Sequence, residues 1–139
     1  MELLRKSWQW ISGANKTRGV AYIAYGEPGL YAFLFDSIKH LRKFTDMPIS
    51  VICDDRAEKI VSKRDPSINT INVIGIENDI DLRKGKYAKC FKPKLNAMKH
   101  LPYDTTIVLD CECFFERSFE HLIDETYDIG YCKEANYNY

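Results

Sequence analysis

Short apolar runs alternate with amphipathic stretches along most of this chain, and this alternation constrains the fold more than any other feature. The apolar runs are rich in β-branched and aromatic residues, which are typical of strands. They predict strands over residues 19–26, 47–55, 68–76, 105–110 and 127–132. Strands that alternate with helices form a parallel sheet, so the sequence predicts an α/β fold with a Rossmann-like, doubly wound, mostly parallel sheet.

Helices are predicted between these strands, over residues 27–44, 56–65, 93–101 and 118–125. The first carries apolar residues at helical spacing, and Pro28 suits its first turn. The third is predicted to begin at Pro93, with Leu95, Met98 and Leu101 facing inward. The fourth has Ser118 as a candidate N-cap. Between the third strand and the third helix, residues 77–92 read as a long polar connection.

The length of 139 residues favours one domain, which we assign to residues 19–139, with residues 1–18 as an N-terminal extension or helix. Net charge is zero, which disfavours nucleic acid as a partner. No apolar run is long enough to span a bilayer, and the first residues are too polar for a signal peptide. Five cysteines without a CxxC pair read as reduced thiols, so we expect a cytoplasmic protein without a transmembrane segment.

The predicted topology locates a ligand site. Open α/β sheets bind ligands at the carboxyl ends of their strands, where the winding reverses. If three strands wind one way and the fourth returns beside the first, strands one and four flank that crevice. Asp110, Cys111 and Glu112 follow strand four directly, so the topology predicts that they lie at the crevice.

Two carboxylates at alternate positions can both reach one divalent cation. Hard oxygen ligands suit magnesium or manganese, and such ions usually keep waters and accept substrate phosphates. Alternatively, Asp110 caps the following turn and Glu112 is a solvated surface residue. The position of the two acids at the crevice favours the metal site.

Six basic residues and no acid occupy residues 83–94. A solvated basic face is the usual role of such a run. A phosphate site is the alternative, because Lys92 and Lys94 flank Pro93 at the predicted helix start, and helix N-termini favour anions. Nucleic-acid binding is weaker, since aromatic residues are few in this run.

The segment after the first predicted strand, YGEPGL, matches neither GxGxxG nor a P-loop, which disfavours a dehydrogenase-type dinucleotide fold. Tyr25 or Tyr31 could stack on a nucleobase. Each could equally be an aromatic residue of the core or the rim. The three histidines have no paired nucleophile in the sequence and read as structural or surface residues.

Residues 94–124 resemble the central block of nucleotide-sugar glycosyltransferases of the GT-A type, especially the glycogenin-like family. That block has a lysine opening a helix, a short loop, an apolar strand, an Asp-x-Asp motif and a helix ending in Leu-Phe-Asp. The counterparts here are Lys94, the LPYD loop, the TTIVL strand, Asp110-Cys111-Glu112 and a closing LID. The order of the upstream elements also fits, so the similarity extends from about residue 19 to residue 132.

The resemblance implies a metal-dependent glycosyltransferase, or its donor-binding half, that uses a nucleotide-diphosphate sugar and an unknown acceptor. Asp110 and Glu112 would bind Mn²⁺ or Mg²⁺, which would bridge the diphosphate. Lys94 and Cys111 would lie near the nucleotide or the phosphates. The backbone at Ala24–Gly26, which includes Tyr25, would hold the base and ribose.

Two differences from the family keep other functions open. Glu112 stands where the motif has Asp, and nothing here corresponds to the family's second half, which builds the acceptor site and supplies a late histidine to the metal. The chain could therefore be a non-catalytic nucleotide-binding or interaction module, or a second copy could complete the crevice. A phosphotransferase of the haloacid-dehalogenase type is disfavoured, because its Asp-x-Asp follows the first strand. No catalytic residue is identified.

Overall fold

A computed structural model of the chain describes residues 17–74 and 86–123 and contains one four-stranded sheet. The strands are β1 (Arg18–Ala24), β2 (Ile49–Cys53), β3 (Asn69–Asn72) and β4 (Thr105–Leu109). Their order is β3-β2-β1-β4, and every neighbouring pair is parallel. Three strands wind in one direction and β4 returns beside β1, which confirms the predicted α/β fold with a doubly wound parallel sheet.

Over residues 17–74 and 86–123, three α-helices lie between these strands: α1 (Leu34–Leu41), α2 (Asp55–Arg64) and α3 (Lys86–Ala97). Short 3₁₀ turns follow β1 at Pro28–Leu30, extend α3 at Met98–His100 and follow β4 at Glu120–Leu122. None of the helices within the described ranges is both long and apolar enough to cross a membrane.

The core lies on both faces of the sheet because β1 is buried on both sides. Its alternate residues Val20, Tyr22 and Ala24 pack with the apolar faces of α1 and α2. The intervening Ala21, Ile23 and Tyr25 pack with Ala97 of α3 on the opposite face. This two-sided burial follows from the side-chain alternation of a strand. It places α3 across the sheet from α1 and α2, as a doubly wound fold requires.

The first helix begins later than predicted. Residues 27–33 form a 3₁₀ turn and further turns, and regular α-helix covers only Leu34–Leu41. Gly26 has a positive φ of 75°, which redirects the chain away from the strand axis before Pro28. The turns bury Tyr31, which is 4% exposed, so tertiary packing determines this segment and not its helical periodicity.

The third helix was predicted with the wrong start and with two wrong inward residues, whereas Leu101, the third residue predicted to face inward, is partly buried against the core. It begins at Lys86 and carries Pro93 in its interior, although a proline there removes one helical hydrogen bond. The Pro93 ring is fully buried, and Ala97, one turn later, is buried too. Pro93 and Ala97 thus face the core, where Leu95 and Met98 were predicted to lie; these are 70% and 46% exposed.

The fourth predicted helix is reduced to the 3₁₀ turn Glu120–Leu122 within the described ranges. Ser118 does not cap a helix, because the capping position is Phe119, and the Ser118 hydroxyl accepts only a long 3.5 Å bond from the Glu120 N–H. The predicted fifth strand, the N-terminal extension up to residue 16 and the last two residues of the fourth helix lie outside the described residues.

Candidate metal and nucleotide site

The winding of the sheet reverses between β1 and β4, as the sequence predicted. Leu109, the last residue of β4, pairs with Tyr22 of β1. Asp110 therefore leaves the sheet beside the carboxyl end of β1, at the crevice where α/β sheets bind ligands.

A tight turn presents the two predicted metal ligands. The Cys113 N–H donates to the Asp110 carbonyl oxygen at 3.1 Å, which closes the turn. Between the acids, Cys111 is only 3% exposed, and its thiol donates to the Ile23 carbonyl oxygen of β1 at 3.4 Å. Because Cys111 turns inward, Asp110 and Glu112 are left exposed to solvent.

The Cys111 thiol is a structural anchor of this turn. Burial above all, together with the charges of Glu112 and Asp110 and against the opposing charge of Lys94, raises its pKa to about 12. At neutral pH the thiol therefore keeps its proton, and its hydrogen bond points it towards β1. Cys111 was predicted to lie near the nucleotide. Because its side chain faces β1, only its backbone could contact a nucleotide there.

Lys94 of α3 and Asp110 form an ion pair across the crevice edge. Lys94 Nζ lies 2.5 Å from Asp110 Oδ1, and the two side chains are 37% and 49% exposed. Within residues 17–74 and 86–123, Glu112 has no hydrogen bond or ion pair. The structure thus brings together Lys94 and Asp110, two of the residues that the sequence assigned to the site.

Lys94 was predicted to lie at a helix start, and this prediction is wrong. Its assignment to the site is not contradicted. Lys92 and Lys94 lie inside α3, well after its start at Lys86, so they do not flank a helix N-terminus. The positive end of the helix dipole is therefore not available to phosphates at this point. Lys94 is linked to the site by its own ammonium group.

A buried hydrogen-bond chain holds the far end of the turn, and sequence reasoning did not find it. The Ser37 hydroxyl of α1 donates to the Cys113 carbonyl oxygen and lies 2.8 Å from the Tyr22 hydroxyl. Burial raises the pKa of Tyr22 to about 12, so the phenol stays neutral and available for this bond. The one sequence signal was a serine on the inward face of an amphipathic helix.

The residues predicted to hold base and ribose differ in accessibility. Ala24 and Tyr25 are 1% and 9% exposed, and Tyr25 packs in the core on the α3 side of the sheet. Gly26 is exposed, and its N–H donates to Asp54 Oδ2 at 2.7 Å. Tyr25 therefore occupies the core position that was its alternative interpretation, and Gly26 is the accessible residue of the three.

Asp54, the residue after β2, holds the backbone at two points, Gly26 and the start of α2. One carboxylate oxygen accepts the Gly26 bond, and the other accepts the Ala57 N–H at 2.9 Å as the N-cap of α2. The sequence prediction included Asp54 only as part of the second strand, residues 47–55. An Asp directly before a helical run is an N-cap signal that could have identified it.

Tyr31 is buried beside this junction. Its hydroxyl has no hydrogen-bond partner among the described residues. Burial raises its pKa, the charge of Asp54 adds to that effect, and Arg56 opposes it. Of the two open interpretations of Tyr31, stacking on a base or a place in the core or rim, the structure supports the core.

The donor chemistry of Asp110 and Glu112 fits a small divalent cation. Magnesium is commonly held by one or two carboxylates, with waters and substrate phosphates completing its ligands. Across the described residues, no group of three or more His, Cys, Asp or Glu side chains could hold a metal. Two exposed carboxylates therefore suit a cation that arrives with a phosphate ligand better than a closed structural site.

Known proteins supply no further assignment. Comparisons with protein-family models, with curated proteins and with solved structures found no match to this chain. The resemblance to GT-A glycosyltransferases therefore stays a prediction from the order of motifs in the sequence.

Proposed function

We propose that the chain binds the diphosphate of a nucleotide sugar, together with Mn²⁺ or Mg²⁺, at Asp110, Glu112 and Lys94, and that it acts in metal-dependent glycosyl transfer. The observation that carries this proposal is the Lys94–Asp110 contact at the winding reversal of the sheet. An exposed acid and an exposed base converge there from different elements. Both charge types are needed to hold a cation and a polyphosphate side by side.

Each residue has a distinct task in this proposal. Asp110 and Glu112 supply hard oxygen ligands on the solvent side of the turn. When bound, the cation supplies positive charge that neutralises the diphosphate leaving group. Lys94 adds a second positive charge at the same edge of the sheet. Fixed positive charge near a developing anion is among the largest contributions to catalysis.

The nucleoside would lie along the carboxyl end of β1. Gly26 is exposed there and lacks a side chain, so its backbone can approach a ligand closely. Asp54 fixes this backbone by accepting the Gly26 N–H. The three free thiols of the described residues, Cys53, Cys111 and Cys113, suit a reducing compartment such as the cytoplasm.

Calorimetric titration with UDP, GDP and ADP, each with Mn²⁺ or with EDTA, tests the proposal. We expect at least one nucleotide to bind only with Mn²⁺, and Asp110→Ala to weaken that binding by tenfold or more. Nucleotide binding that EDTA and Asp110→Ala leave unchanged, or no binding at all, would reject the proposal.

Release of sugar from the matching nucleotide sugar separates a transferase from a module that only binds. Turnover, even slow hydrolysis, would exclude the non-catalytic alternative. Metal-dependent binding without any turnover would support a donor-binding module or a half-site that a second copy completes. The acceptor is then to be sought with the complete assembly.

A further inference from the structure

Lys94 forms an ion pair with Asp110, one of the two acids that the proposed function assigns to the cation. Its ammonium group lies 2.5 Å from Asp110 Oδ1, so the charge of Asp110 is already neutralised by the chain itself. Glu112 has no such partner within the described ranges. A cation approaching the site alone therefore meets one available carboxylate and one that is occupied.

We propose that Lys94 competes with the divalent cation for Asp110, so that cation and nucleotide diphosphate bind with positive cooperativity. This inference rests on the proposed function. Without a diphosphate, a cation must displace the ammonium group or bind beside it, where two positive charges repel. A diphosphate gives Lys94 another anion to contact and thereby frees Asp110. Linkage requires the effect to be reciprocal, so each ligand strengthens the other.

The geometry allows Lys94 to change partners at low cost. Both side chains are partly exposed, and half-exposed ion pairs are weak contacts in water. The lysine side chain is long and flexible, and its three donors suit phosphate as well as carboxylate. Asp110 itself is held by the turn that Cys111 anchors to β1, so the lysine is the mobile member of the pair.

Binding of Mn²⁺ alone, followed by the electron paramagnetic resonance signal of the free ion, tests the competition without any nucleotide. Lys94→Met removes the ammonium group and keeps most of the chain length. We expect it to bind Mn²⁺ about 5- to 10-fold more tightly than the wild type. The matched control is Lys99→Gln, which removes one positive charge from an exposed residue without an ion pair to Asp110. It should bind Mn²⁺ like the wild type.

A second titration measures the coupling. In the wild type, saturating UDP or GDP should raise Mn²⁺ affinity by a factor within the usual range for coupled sites, about 5 to 150. The increase should be clearly smaller in Lys94→Met, because only the direct attraction between cation and phosphate is left. Lys94→Arg keeps the charge and should retain most of the coupling. Circular dichroism of each variant verifies that it is folded.

The outcomes distinguish this inference from the function on which it rests. Lys94→Met that binds Mn²⁺ alone no more tightly than the wild type and Lys99→Gln would overturn the competition, even if nucleotides bind. Equal coupling in Lys94→Met and the wild type would overturn it as well. If none of UDP, GDP and ADP binds the wild type, the proposed function fails, and the titration with Mn²⁺ alone still decides the role of Lys94.

Discussion

Two strands of this sheet end in acids, and the acids differ in what they contact. After β2, Asp54 uses one carboxylate oxygen to cap α2 and the other to hold the Gly26 N–H. After β4, the Asp110 carboxylate contacts only Lys94 among the described residues, and the Glu112 side chain has no partner there. Asp54 and Asp110 look alike in the sequence, because each directly follows an apolar run.

The difference lies in the backbone that surrounds each acid. Asp54 stands before a regular helix whose first N–H groups need an acceptor, so the helix uses its carboxylate. Asp110 stands before a turn that closes on its own carbonyl oxygen, so its carboxylate is spared. In this sheet the helix start after β2 therefore uses the Asp54 carboxylate, whereas the turn after β4 leaves that of Asp110 to Lys94.

Removing each acid in turn should separate the two strand ends most clearly. Asp54→Ala loses the N-cap and the Gly26 bond, so we expect the free energy of unfolding to fall by about 2–3 kcal/mol. Asp110→Ala breaks one half-exposed ion pair and should cost less than about 1 kcal/mol. Urea denaturation measures both. Equal losses in the free energy of unfolding would mean that Asp110 is as structural as Asp54, which would contradict the difference between the two strand ends.

Both strand ends also bury a thiol, which predicts destabilisation at alkaline pH. Burial raises the pKa of Cys53 and of Cys111 to about 12, whereas the thiols of the unfolded chain ionise near pH 9. The folded protein keeps protons that the unfolded chain loses, so stability falls as pH rises from about 9 to 12.

We expect a loss of about 1 kcal/mol for each thiol between pH 8 and pH 10. Urea denaturation at several pH values measures it, and Cys111→Ala should flatten the dependence. A free energy of unfolding that is constant over this range would contradict the burial of these thiols.

Two buried tyrosines extend the comparison, because one hydroxyl is satisfied and the other is not. Tyr22→Phe removes the bond to Ser37 and should lower the free energy of unfolding by about 1 kcal/mol. Tyr31→Phe removes a hydroxyl without a described partner and should be neutral or stabilising. Thermal denaturation of the two variants measures the difference. A loss in Tyr31→Phe as large as that in Tyr22→Phe would reveal a partner for its hydroxyl.

The smallest effect is expected on the helix that carries Lys94. Leu95 is largely exposed, so Leu95→Ala should change the free energy of unfolding by less than about 0.5 kcal/mol. The matched control Leu34→Ala, at a fully buried residue of α1, should cost about 2–5 kcal/mol. A large loss in the free energy of unfolding in Leu95→Ala would show that Leu95 faces the core, as the sequence predicted.

The sequence was sufficient for the parallel sheet of β1 to β4 and for the place of Asp110 at its edge. Alternating apolar runs and helical spacing act locally, and the topology follows from the few ways in which such units pack. The sequence therefore predicted β1 and β4 as neighbours and Asp110 at the carboxyl end of β4. It did not predict the short α1 or the burial of Pro93, because both depend on contacts between distant elements.

The contacts of the site were harder to predict than its position. Lys94 was chosen for a helix start that does not exist there, and its actual contact with Asp110 needs the packing of α3 against the sheet. The inward turn of Cys111 is likewise set by a backbone acceptor on β1. Residue spacing shows which groups can approach one another, but the packed fold decides which of them do.

The most direct test compares the two strand ends in one titration of UDP or GDP with Mn²⁺ present. Asp110→Asn and the matched Asp55→Asn each convert one exposed acid to an amide, at the ends of β4 and β2 respectively. Our account predicts that Asp110→Asn weakens metal-dependent binding by tenfold or more, and that Asp55→Asn binds like the wild type. Binding that survives Asp110→Asn, or that is lost equally in Asp55→Asn, would contradict the assignment of the metal site to the end of β4.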